Sequence, residues 1–139
     1  MTNFERETRI IGKHEFWFFS PNRLHGILRG AVEVDDIRAT AEYSIECAQR
    51  AGEMLHYSVD ITGLERISEA ARKFAIEYDQ PYAYDAIAFI GTGFSVRTLI
   101  RMVVKAGTIV SPKNFAFSYK FVESLDEADA WFDELKSNG

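Results

Sequence analysis

The stretch AIAFIGTGFSVRTLI, residues 86–100, constrains this chain more than any other. Its first five residues are apolar with no alternation, the pattern of a strand covered on both faces and therefore central and parallel in its sheet. A break at Gly91-Thr92-Gly93 follows. Apolar residues then return at helical spacing, with Val96, Leu99, Ile100 and Val103 on one side. A buried strand that turns directly into an amphipathic helix is part of a parallel crossover.

The flanking segments extend that pattern in both directions. HEFWFFS (14–20) and RLHGILRG (23–30) are strand-like runs separated by Pro21-Asn22, which predicts an antiparallel hairpin; residues 8–11 offer a further short strand. Ile37, Ala41, Ile45 and Ala48 then form one stripe of a helix, with Asp35 and Asp36 in or near its first turn and Gly52 as a stop signal. Leu55, Tyr57, Val59 and Ile61 alternate with His56, Ser58 and Asp60, giving a strand with one more polar face. A helix follows in ISEAARKFAIEY, capped by Ser68 and buried through Ala71, Phe74, Ala75 and Tyr78. Beyond the central strand and its helix, FAFSYKFV is a strand. The last helix opens on a capping box of Ser124 and Glu127 and packs through Ala128, Trp131, Phe132 and Leu135. The order is hairpin, then α-β-α-β-α-β-α, which predicts an α/β sandwich: a mixed sheet of five to six strands with about four helices and right-handed crossovers.

Length and composition bound the rest. With 139 residues, no repeat and no Pro/Ser-rich linker, the chain suits a single domain over 1–139, with residues 1–11 a partly loose N-terminal arm. The formal charge of −5 argues against nucleic-acid binding, which calls for a basic face. One cysteine, Cys47, cannot form an internal disulfide, which fits a reducing, cytoplasmic location. The N-terminus lacks a signal-peptide core, and no apolar stretch reaches the roughly 18 residues of a membrane span.

Chemistry-bearing motifs are sparse. The Gly91-Thr92-Gly93 turn fails the dinucleotide fingerprint, because the third glycine position is Val96, and it lacks the Gly-Lys-Ser/Thr of a P-loop. It is read as a tight turn with Ser95 capping the helix; the alternative is an anion held on backbone N–H groups near Thr92, Ser95 and Arg97. A second group, Thr62, Ser68, Glu69 and Arg72, flanks the connection after the Asp60 strand. In open α/β sheets that edge, at the strands' C-terminal ends, is where ligands and partners bind. The expected binding surface therefore comprises Thr62, Ser68, Glu69, Arg72, Thr92, Ser95 and Arg97, set against the plainer reading of caps and solvated charges. His14, His25 and His56 lie in different predicted strands with no metal-site spacing. No nucleophile–base arrangement is visible, so no catalytic residue, metal or cofactor is expected. Aromatic residues, 14% of the chain, are first core; Trp17 is the candidate for a surface role.

Three pieces, YSVDITGLERISEAAR (57–72), AFIGTGFSVRTLIRMV (88–103) and YKFVESLDEADAWF (119–132), together resemble the STAS domain (sulfate transporter and anti-sigma factor antagonist). The resemblance is closest to the bacterial STAS-like, or SpoIIAA-like, relatives of the sporulation anti-anti-sigma factor, and covers residues 12–135. It implies a STAS-like (SpoIIAA-like) sandwich and a regulatory, protein-binding role. In STAS antagonists the second helix opens with Asp-Ser-Ser-Gly and its second serine is phosphorylated. Aligned from Asp60, that tetrapeptide falls on Ser68-Glu69-Ala70-Ala71, and Ala70 has no hydroxyl to accept phosphate.

The leading expectation is a non-catalytic regulatory module that binds another protein, with a homodimer left open. The second is a small-ligand binder, for an apolar or anionic molecule such as a lipid or nucleotide: STAS-like folds are reminiscent of the CRAL-TRIO lipid-binding fold. An enzyme comes last. A deep apolar pocket would favour the second reading, and a flat exposed patch the first.

Overall fold

The computed structural model describes residues 7–91 and 93–138. The expected loose arm is split by this boundary. Residues 1–6 lie outside the described residues, whereas Glu7–Ile11 forms a strand, β1. There follow β2 (His14–Phe19), β3 (Arg23–Val32), α1 (Val34–Ala51), β4 (Leu55–Ile67), α2 (Glu69–Ile76), β5 (Tyr84–Ile90), α3 (Phe94–Val110), β6 (Ser118–Val122) and α4 (Leu125–Asn138). The six strands form one sheet in chain order, β1-β2-β3-β4-β5-β6. The first three pair antiparallel through tight connections, and β3 to β6 run parallel. A helix in each crossover makes this parallel half possible.

Strand alternation sends the two sets of side chains to opposite faces. On one face Phe16, Leu24, Tyr57, Val59, Ile61 and Ile87 meet α1, α2 and α3 in the larger core, together with Tyr43, Cys47, Ala71 and Ile100 from the helices. On the other face Ala86, Ala88, Ile90 and Val122 meet Ala128 and Phe132 of α4 in a smaller core, with Trp131 and Leu135 packed at its margin. The unalternated AIAFI run is thus explained: β5 lies between β4 and β6, with apolar partners on both faces.

Local signals set the helix ends. Glu33 and Asp36 form a capping box on α1, the Glu33 N–H donating to Asp36 Oδ2 at 2.9 Å, and Gly52 closes the helix in the left-handed conformation at φ 74°. Ser68 caps α2, its Oγ accepting the Ala71 N–H at 3.1 Å. The α4 box is offset by one residue from the expected one: Ser124 Oγ accepts the Glu127 N–H, but Glu127 Oε1 accepts from Glu123 rather than Ser124.

Two local expectations are corrected. The strand through Asp60 does not stop there; β4 continues to Ile67, its second half pairing with β3 from Arg29↔Gly63 to Val32↔Ile67. The long β3 strand supplies backbone partners past Asp60, and that is why the chain does not turn at Thr62 and Gly63. Ser95 also does not cap α3. The N-cap is Gly93, whose carbonyl accepts the Arg97 N–H at 3.0 Å.

Candidate functional site

The extension of β4 divides the surface expected at the sheet edge. Thr62 is exposed within the strand, its N–H donating to Asp60 Oδ1 at 2.8 Å, six residues short of Ser68. At about 3.3 Å per residue that puts roughly 20 Å of strand between them. Thr62 instead neighbours the turn after β5: a Cβ on Gly91 would lie 3.0 Å from Ile61 Cγ1 and 3.5 Å from the Thr62 nitrogen. Gly91 also has φ 151°, so both the backbone conformation and the space favour glycine there. Thr92 lies outside the described residues. Ser95 is exposed in the first turn of α3, and Arg97 lays its guanidinium over the Phe121 ring, 4.8 Å from the centroid. Ser68 is occupied as a cap, and Glu69 is exposed beside it. Of the described members of the expected group, Arg72 is the one that lines the interior cavity, although the Arg97 Nε is also buried without a described partner.

Arg72 lines a partly open cavity of about 160 Å³ between the sheet and helices α1, α2 and α3. Its floor is Tyr57, Val59, Ile61 and Ile87, and its far wall includes Ile100, Val103 and Val104 of α3. The space exists because the helices bring small residues where packing would otherwise close it: Thr40, Ala41 and Ser44 from α1, and Ala75 from α2. Aromatic rings crowd one side. Tyr82 stacks on Tyr84 at 5.5 Å and meets Phe115 and Phe117 edge-on.

The polar groups in this wall are few. His14 is buried; its Nδ1 accepts the Arg29 N–H at 3.0 Å, which leaves the proton on Nε2, facing Asp36 Oδ2 at 3.4 Å. Burial raises the pKa of Tyr57, Tyr82 and Tyr84, so all three stay protonated and offer O–H donors. Tyr82 spends its donor on the Ala75 carbonyl at 2.7 Å. The Arg72 Nε is buried and donates to no described acceptor. The cavity is thus an apolar, aromatic space with, among the described residues, one Lys or Arg side chain, Arg72, in its wall. The alternation and stripe patterns showed core residues but not this vacancy. The signal was the pairing of Ala71 and Ala75 with Arg72 on the inward face of one short helix.

The opposite face carries a second recess of about 290 Å³, lined by Phe19, Arg23, His25, Ser58, Leu125 and Asp129 among others. Trp17, His25 and Ser58 stand in register across β2, β3 and β4. Trp17 stacks on His25 at 5.6 Å, and His25 Nδ1 shares a hydrogen bond with Ser58 Oγ at 2.8 Å. Ser58 is 1% exposed, so this row ties strands together rather than presenting a hydroxyl to solvent. Arg23 is ion-paired with Asp129 of α4 and lies over Phe132. Among the described residues no cluster of three or more His, Cys, Asp or Glu is placed to hold a metal ion.

No protein-family model matches this chain, and no curated protein does. Among solved structures it is similar to an uncharacterized protein from the DUF3478 family with a SpoIIAA-like fold, from Shewanella loihica PV-4, at a TM-score of 0.50 and 19% identity over 91% of each chain. The mixed six-stranded sheet with four helices is the SpoIIAA-like, or STAS-like, fold. No helix among the described residues is long and apolar enough to cross a membrane.

Proposed function

We propose that this protein is a non-catalytic module that binds a small apolar molecule in the cavity beneath α1, α2 and α3. One observation carries this reading: a space of about 160 Å³, walled by hydrocarbon and aromatic side chains, in a core that would otherwise close-pack. A hydrocarbon-lined cavity of about 150 Å³ suffices for benzene. Toluene titrated into the protein, followed by NMR, should shift resonances of Val59, Ile87 and Val104. Ala75→Phe, which places a ring in the space, should abolish those shifts while leaving the protein folded. Absence of any toluene-dependent shift at cavity residues in the parent would overturn the reading.

A second reading, a protein-interaction module of the STAS antagonist type, draws support from the outer side of α3. Phe94, Met102 and Ile109 are 79%, 61% and 74% exposed there, more than scattered surface hydrophobes require. Affinity capture from the native cell, repeated with a Met102→Glu and Ile109→Glu double variant, tests it. A partner captured equally well by both proteins would exclude α3 as the contact.

A further inference from the structure

We infer that the cavity selects a small apolar carboxylic acid, aromatic or short-chain, whose carboxylate is taken by Arg72. The inference rests on the ligand-binding reading above and adds the chemical class of the ligand.

Arg72 occupies the inward side of α2 with Ala71 and Ala75, a place where a packed helix would carry an apolar residue. Its Nε is sealed from solvent with no described hydrogen-bond partner, and among the described residues its guanidinium has no carboxylate partner. A buried guanidinium N–H without an acceptor is unfavourable, and the remaining N–H groups of the Arg72 fork are the ones a carboxylate in the cavity would meet. The acidic group in the same wall, Asp36, is already engaged: its Oδ2 accepts the Glu33 N–H and faces His14 Nε2.

The geometry of the donor selects the anion. A guanidinium fork matches the two oxygens of a carboxylate in a planar, bidentate pair. A doubly charged phosphate would call for further cations, and among the described residues Arg72 is the one Lys or Arg in the cavity wall. The remaining wall suits an apolar body, with Tyr57, Tyr84 and Phe117 contributing aromatic rings to it.

Benzoate and toluene, one with the carboxylate and one without, are the probes. Each is titrated into the parent and into Arg72→Met, with binding followed by NMR and folding by thermal melting. Benzoate is expected to bind the parent about tenfold or more tightly than it binds Arg72→Met, while toluene binds both alike. Arg72→Lys, which keeps the charge but loses the fork, should fall between and serves if Arg72→Met does not fold. Benzoate binding that is equal in parent and variants, or toluene binding without benzoate binding, overturns the role of Arg72 and leaves the apolar cavity standing. Failure of both probes to bind the parent overturns both readings.

Discussion

The imidazole of His56 is stacked on the ring of Phe132, centroids 5.0 Å apart and planes 26° from parallel, so that β4 and α4 meet through these two rings. The His56 Nε2 faces Asp85 at 3.3 Å. Burial lowers the His56 pKa from its ordinary 6.5; the Asp85 carboxylate opposes the shift, and Arg23 and Lys136 reinforce it. Below pH 6.5 the unfolded chain therefore takes up this proton before the folded one does. The stability held by neutral His56 is complete above pH 6.5 and declines as pH falls from there towards the folded value. Urea midpoints measured between pH 7.5 and pH 5 should fall less steeply for His56→Gln than for the parent. Equal slopes would remove His56 from the acid response.

Gly107 of α3 packs directly against the ring of Phe115. In an exposed helix interior, glycine to alanine stabilises by up to about 1 kcal/mol. Here the new methyl would overlap three ring carbons of a buried side chain, and overpacking of that kind costs about 1–3 kcal/mol. Gly107→Ala should lower the melting temperature, with the opposite sign to the helix-propensity expectation. A rise in melting temperature would show that Phe115 moves aside freely.

The smaller core hangs on Phe132 more than on its neighbour. Phe132 is 1% exposed, whereas Trp131 is half-buried at the margin. Phe132→Ala should cost about 3–5 kcal/mol, and Trp131→Ala distinctly less despite the larger ring. Denaturant titration of the two variants decides the order, and a larger loss for Trp131→Ala would refute this account of the core.

Ser68 is a cap and nothing in its geometry requires more. Ser68→Ala should lose about 1 kcal/mol, while Ser68→Asp, which also accepts the Ala71 N–H and suits the helix dipole, should lose little. Calorimetry on the pair is sufficient. If both lose equally, the Oγ–Ala71 bond is not what Ser68 contributes.

How far the sequence could be read is clearest in β4 and α2. The alternation from Leu55 to Ile61 marked the strand, and the Ala71 stripe with the Ser68 cap marked the helix; both are local properties of consecutive residues. The six residues between them belong to β4 because β3 is ten residues long and offers backbone partners to Val32, which no local pattern in residues 62–67 records. The candidate surface is divided for the same reason, since Thr62 and Ser68 would be neighbours only if the chain turned between them. The cavity lay further out of reach. Periodicity identifies which residues point inward, but whether their volumes fill the space depends on three helices and a sheet at once. Arg72 was visible as a charge near a helix start; its inward direction was not, although its position beside Ala71 and Ala75 held the clue.

Strand order equal to chain order has a kinetic consequence. Every strand's sheet partner is the strand made just before or just after it, so no pairing waits for a remote part of the chain to arrive. The hairpin of β2 and β3 closes over a few residues, and each later strand is delivered by the single helix that precedes it. Loop-closure entropy is then met in small, similar steps. A parallel sheet, usually slow to assemble because its pairings are distant in sequence, can here grow outward from the hairpin one strand at a time.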